Sequence, residues 1–228
     1  MIQTILEIEN LSKSFLLKNN KKLTVLDDIS FSVQKGKTVA IIGESGCGKS
    51  TLCKCIAGID RQNAGKIFFE NKQLEKNRNQ YERRNIQIIF QNPIASLNPN
   101  LKITKILKEP LIIHGIKKEK HEEIIEKTIK EVGLNENILD NLPIQLSGGQ
   151  CQRINIARAI MLKPKLLICD EPISSLDVHS QVLILDLLQQ LKEIYNLTYI
   201  FVSHNENIVR QIADVIILIE AGKVVRIQ

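Results

Sequence analysis

The chain of 228 residues contains no tryptophan, three tyrosines and six phenylalanines, so aromatic side chains amount to 4% of it. So few rings speak against a base-stacking platform of the kind that grips single-stranded nucleic acid. No apolar run approaches the roughly 20 residues that span a bilayer. The first eight residues lack the basic-then-apolar order of a secretory leader. A soluble chain is therefore expected, with any membrane location supplied by a partner. The five cysteines, Cys47, Cys53, Cys55, Cys151 and Cys169, are an odd number and form no CxxC pair. Buried, reduced cytosolic thiols are the expectation, rather than disulfides or a zinc site. Charge of both signs is plentiful: 31 Lys and Arg stand against 25 Asp and Glu, for a formal net charge of +6 and a pI near 9.0. Lysines and glutamates are interleaved instead of gathered in one run, which reads as a solvated basic surface and not as a nucleic-acid groove. With hydrophobic residues at 43%, the chain can bury the core of one large domain or of a domain with a subdomain.

Periodicity divides the chain into three regions. Up to about residue 90, short segments with apolar residues at alternate positions (6–10, 29–33, 38–42, 67–70 and 86–90) predict strands separated by turns, with a helix over 50–57. From about 91 to 146, stretches 101–111 and 119–132 carry helical periodicity, and Pro93, Pro99 and Pro143 punctuate the edges. The last region alternates again: a helix from Gly149, strands at 165–169, 198–202 and 215–220, and helices at 180–195 and 205–212 between them. Strands alternating with helices predict an α/β fold with a mainly parallel sheet and right-handed crossovers. No internal repeat is present.

The segment Gly43-Glu44-Ser45-Gly46-Cys47-Gly48-Lys49-Ser50-Thr51 fits GxxxxGK[ST] between a predicted strand and a predicted helix. Glycines at 43, 46 and 48 let backbone N–H groups converge on phosphate oxygens at a helix N-terminus. Lys49 would reach the β- and γ-phosphates of ATP, and the Ser50 hydroxyl would ligate Mg²⁺. Further on, Leu166-Leu167-Ile168-Cys169-Asp170-Glu171 is an apolar run ending in two acids. On a buried parallel strand both carboxylates would stand at the C-terminal sheet edge, where ligands bind. Between the two lies Leu146-Ser147-Gly148-Gly149-Gln150, a second serine-led, glycine-rich segment.

In this order the motifs resemble the ATP-binding cassette (ABC) ATPases, and the resemblance runs over almost the whole chain. It implies a single cassette over 1–228: a nucleotide-binding core with an antiparallel β subdomain at about 1–90 and 147–228, and a helical signature-motif subdomain at about 91–146. It also implies that Ser147, Gly148, Gly149 and Gln150 complete the ATP site of a facing ATPase subunit, in a homo- or heterodimer. By the same resemblance Asp170 holds Mg²⁺ and Glu171 is the general base or positioner of the attacking water. Gln91 contacts Mg²⁺ and the water, His204 contacts the γ-phosphate, and Phe15 stacks on adenine. Ser174-Ser175-Leu176-Asp177 lies along the dimer interface. Two departures stand out. Asn205 follows His204 where the family commonly has aspartate, which leaves its local hydrogen bonding open, and Cys151 replaces a polar residue before Gln152-Arg153.

The stretch Gln91-Asn92-Pro93-Ile94-Ala95-Ser96-Leu97-Asn98-Pro99 resembles the ATPases of dipeptide, oligopeptide and nickel importers, as do Lys108-Glu109-Pro110-Leu111 and the residues from Glu171 to Val178. Because the chain stops soon after Gly222-Lys223-Val224-Val225, without a long cysteine-bearing extension, nickel is the first expectation and peptides the alternative. A non-transport or nucleic-acid-associated ABC ATPase is the remote one. The implied partners are two transmembrane permease subunits and, through them, an extracytoplasmic solute-binding protein, with no nucleic acid. The implied place is the cytoplasmic face of the cell membrane, as a peripheral subunit.

Overall fold

The computed structural model describes residues 3–18 and 21–228. Strands β1 (Thr4–Leu16) and β2 (Lys22–Gln34) pair as a long antiparallel hairpin. Both run well past the short strands that alternation predicts. Register shifts beyond Ile8 break the period of two, so the outer half of the hairpin does not read as strand. The chain then leaves through β3 (Thr38–Ile42) for a second sheet and returns in β4 (Ala64–Phe69) and β5 (Lys72–Gln73). The first sheet is antiparallel, in the order β2-β1-β4-β5.

The second sheet adds β6 (Ile86–Ile89), β7 (Leu166–Asp170), β8 (Thr198–Val202), β9 (Val215–Glu220) and β10 (Lys223–Ile227), in the order β10-β9-β3-β8-β7-β6. Every pairing in it is parallel except that of β10 with β9. Helix α1 (Lys49–Ala57) follows β3, and the short α2 (Gln80–Asn85) leads into β6. Neither α2 nor β10 is evident from periodicity. For α2 the local signal is the capping box of Asn79 with Glu82. Between β6 and β7 stand α3 (Ile103–Ile113), α4 (His121–Glu131) and α5 (Gly148–Ile160); α6 (Val178–Tyr195) and α7 (Glu206–Ile212) cross over after β7 and β8.

The five residues of β7 are all buried. Leu166 and Ile168 belong to a core shared with α1 and the first sheet, whereas Leu167 and Cys169 point into a core shared with α3, α4, α5 and α6. A strand covered on both faces has no polar side to alternate to, hence its unbroken apolar sequence. All five cysteines are free and buried. No helix among the described residues is long and apolar enough to cross a membrane.

Candidate functional site

Four parallel strands end at one edge of the second sheet: β3 runs into the phosphate loop, β6 ends just before Gln91, β7 ends in Asp170, and β8 is followed by Ser203 and His204. This common edge is a direct consequence of parallel topology.

The phosphate loop has the backbone its motif requires. Gly43 (φ 152°) backs onto the Ile219 carbonyl, and Gly48 (φ 106°) lies so close to β2 that a Cβ on it would stand 2.7 Å from the Val25 carbonyl oxygen. Gly48 is the N-cap of α1 and offers no side-chain cap, so the first amides of the helix are left for a ligand. Lys49 is 5% exposed, and its Nζ donates to the carbonyl oxygens of Gly43 (2.7 Å) and Glu44 (2.8 Å), across the loop. Ser45, Gly46, Gly48, Lys49, Ser50 and Thr51 line a cleft of about 280 Å³ together with Val25, Gln91 and Glu171. The Cys47 side chain is buried, with Sγ 3.8 Å from the Lys49 ammonium.

The Ser50 hydroxyl donates to Asp170 Oδ1 at 3.0 Å. Burial pushes the Asp170 carboxyl up from its usual range, and the Ser50 bond works against that. One hydroxyl and one carboxylate oxygen are a hard-oxygen donor set; they suit Mg²⁺, which keeps water and substrate phosphates as its other ligands. Among the described residues no three His, Cys, Asp or Glu side chains form a cage that would hold a metal by themselves. Glu171 adopts a left-handed backbone (φ 48°), unusual for a residue with a Cβ. Its amide donates to the Val202 carbonyl (3.1 Å), and its own carbonyl accepts from the Ser174 hydroxyl (3.1 Å). So held, Glu171 Oε2 accepts from Gln91 Nε2 at 2.8 Å and lies 3.7 Å from His204 Nδ1. Asn205 settles the first departure: its Oδ1 accepts from the amides of Asn207 (3.1 Å) and Ile208 (3.4 Å), capping α7.

Ser147, Gly148, Gly149 and Gln150 stand apart, and none of them lines the cleft beside the phosphate loop. They begin α5 with a capping box: Ser147 Oγ accepts from the Gln150 amide (3.2 Å), and Gln150 Oε1 accepts from the Ser147 amide (2.9 Å). Cys151, on the buried face of α5, points to the Pro143 carbonyl. Gln152, already part of the motif pattern, and two residues with no signal beyond their place on the helix, Asn155 and Arg158, reach from α5 to other segments. Gln152 Nε2 donates to the Pro172 carbonyl, Asn155 Nδ2 to that of Pro93 (2.8 Å) and Arg158 Nη1 to that of Ser96 (2.9 Å). The helix led by Ser147 is thereby tied to the segments that follow both Gln91 and Glu171. Phe15 lies on the outer part of β1 opposite Leu23; the residue is 39% exposed, and the Lys13 ammonium stands 4.7 Å from the centroid of its ring.

The ABC transporter family model matches residues 26–174. An oligopeptide transport ATP-binding protein of Haemophilus influenzae is 39% identical over 233 residues, spanning 96% of this chain and 70% of the relative. A dipeptide transport ATP-binding protein of Escherichia coli is 39% identical over 232 residues, 98% of this chain and 70% of the relative. Among solved structures, a dimeric bacterial ABC transporter cassette superposes with a TM-score of 0.88 at 28% identity, covering 98% of each chain. A dimeric cassette in a post-hydrolysis state with ADP and phosphate gives 0.87, with the same identity and coverage. Fold, motif order and relatives agree: the chain belongs to the ABC transporter family and is an ATP-hydrolysing transporter subunit.

Proposed function

We propose that this chain powers an importer of small peptides, as one of two ATPase subunits bound to the cytoplasmic side of a permease. The peptide-transport names of relatives that span nearly the whole chain carry this reading. They favour peptides over nickel, the first expectation from sequence. The segment after Gln91 supports an importer of either solute. Residues 91–146 dock on cytoplasmic permease loops, and an extracytoplasmic binding protein delivers the solute.

At the site, the amides of the phosphate loop and Lys49 bind the triphosphate, and Lys49 exchanges its two loop carbonyls for phosphate oxygens. Ser50 and Asp170 would hold Mg²⁺, with Gln91 within reach of the same ion, and a bound ion would supply neutralisation of the charge that develops on the phosphates. Glu171 accepts a proton from the attacking water at the carboxylate that now takes the Gln91 hydrogen bond. His204, 3.7 Å from that carboxylate, donates to the γ-phosphate in this reading. Ser147, with the amides of Gly148 and Gly149, closes on the γ-phosphate of the facing subunit. The closed dimer is then favoured only while ATP bridges the two chains.

Uptake of a labelled dipeptide, a labelled oligopeptide and radioactive nickel, compared between a strain lacking the gene and its complemented form, tests the cargo. Loss of peptide uptake alone is expected. Loss of nickel uptake with peptide uptake intact would return the assignment to nickel.

A further inference from the structure

Strands β1 and β2 fall out of step where they pass the phosphate loop. Lys13 pairs with Leu26, Ser14 with Thr24 and Phe15 with Leu23, so Val25 is an extra residue in β2. This bulge brings Val25 against the loop: its carbonyl fills the space that a side chain on Gly48 would need, and Val25 lines the phosphate cleft. Phe15, opposite Leu23, is therefore only two strand residues from that cleft, about 7 Å along β2. A ribose bridges a base and its phosphates over a gap of this kind.

The same stretch fixes a cation. Lys13 and Phe15 are two residues apart on β1 and so share a face. Lys13 is half-buried, and its Nζ donates to the Arg61 carbonyl at 2.6 Å while lying 4.7 Å from the Phe15 centroid. Arg61 sits in the loop that leaves the C-terminus of α1. Two more bonds hold that loop to β1: Asn63 N to the Ser12 carbonyl (2.8 Å) and Ser14 N to Asn63 Oδ1 (2.7 Å). The ammonium is thus tied to the far end of the helix whose near end begins at the phosphate loop.

We propose that Lys13 is a positioning residue for the nucleotide base: its ammonium covers one face of Phe15, orients the ring and leaves the other face for adenine. The inference rests on the reading of Phe15 as the base platform. The face of a phenyl ring is negative, and so is the face of adenine, which weakens their stacking. A cation on the far face draws ring density toward itself and lessens that repulsion, while its own attraction to the ring resists rotation.

Calorimetric titration of the full chain with ATP and with inorganic tripolyphosphate, which has no base, separates the possibilities. Lys13→Met is expected to raise the Kd for ATP by roughly 2- to 5-fold, with the full worth of an exposed cation–π contact as the upper bound, and to leave tripolyphosphate binding unchanged. Lys13→Arg, which keeps a cation at the ring, should restore ATP binding. Phe15→Ala should weaken ATP binding at least as much, again without effect on tripolyphosphate. Unchanged ATP affinity in Phe15→Ala would remove the platform and Lys13's role with it. Weakened binding in Phe15→Ala beside unchanged binding in Lys13→Met would overturn the Lys13 inference alone. Loss of both ligands in Lys13→Met would mean that the charge serves the phosphates, and would also overturn it.

Discussion

Two glycine-rich helix N-termini in this molecule are proposed to meet the same kind of γ-phosphate, and they are built in opposite ways. Helix α1 starts at Gly48, in a left-handed conformation and with no side-chain cap. Helix α5 starts at Ser147, inside a complete capping box with Gln150. The first end is unfinished: its amides have no side-chain cap, and Lys49 spans the loop through Gly43 and Glu44. The second end is finished by itself. Ser147 Oγ accepts from the Gln150 amide and still has its own proton to donate. An end that leaves its amides open and an end whose capping box is already closed are different devices, although both belong to glycine-rich segments that contain serine.

The largest effect should come from the α1 side of this contrast, where the chemistry is proposed to occur. Glu171→Gln keeps the side-chain shape and an acceptor for Gln91 Nε2, but cannot take a proton from water. Hydrolysis by the assembled complex should fall at least ~10²-fold, the usual contribution of a positioned base, while MgATP binding persists. Phosphate release in a single turnover, measured beside equilibrium nucleotide binding, checks both halves. Turnover near wild type would take Glu171 out of the mechanism.

Legibility in the sequence follows the same division. On the α1 side the candidate residues were readable because their motif depends on local backbone: glycines at fixed offsets, a lysine, a hydroxyl, and two acids at the end of an apolar strand. The full lengths of β1 and β2 were not, because the bulges after Ile8 shift the alternation and put Lys13, Phe15 and Val25 in places that no simple period marks. Asn155 and Arg158 were missed for another reason. Each donates to a carbonyl 62 residues earlier in the chain, so their partners exist only once α5 has packed beside the segment after Gln91. Such bonds leave no local pattern, only a polar residue on a buried helix face.

The capped end can be broken in two separable ways, with the next largest effect. Ser147→Ala removes the oxygen that accepts from the Gln150 amide and should cost about 1 kcal/mol of stability. It also removes the hydroxyl proposed to complete the site of the facing subunit. Ser147→Asp retains a good cap, so stability should stay close to wild type, yet it brings a carboxylate toward the γ-phosphate of the facing subunit. Urea unfolding should therefore rank the Ser147→Asp protein with wild type, whereas the rise of ATPase rate with protein concentration should disappear. A concentration-dependent rate that survives in Ser147→Asp would show that the hydroxyl plays no part across the interface.

The smallest effect belongs to a third helix end on the same edge, that of α7. Asn205 caps it through Oδ1 and stands beside His204, in a place where aspartate is the commoner residue of the family. Aspartate and asparagine are nearly equal as N-caps. The added charge would gain a few tenths of a kcal/mol from the helix dipole, against repulsion from the Glu171 carboxylate that lies 3.7 Å from His204. Asn205→Asp should accordingly change stability by less than about 0.5 kcal/mol and turnover by less than about twofold, since the two charge terms oppose each other and both are small at an exposed position. Measuring the two quantities together is what gives the substitution its use. If stability holds while hydrolysis drops tenfold, Asn205 acts on His204 and the γ-phosphate contact, and α7's cap is the lesser part of its role.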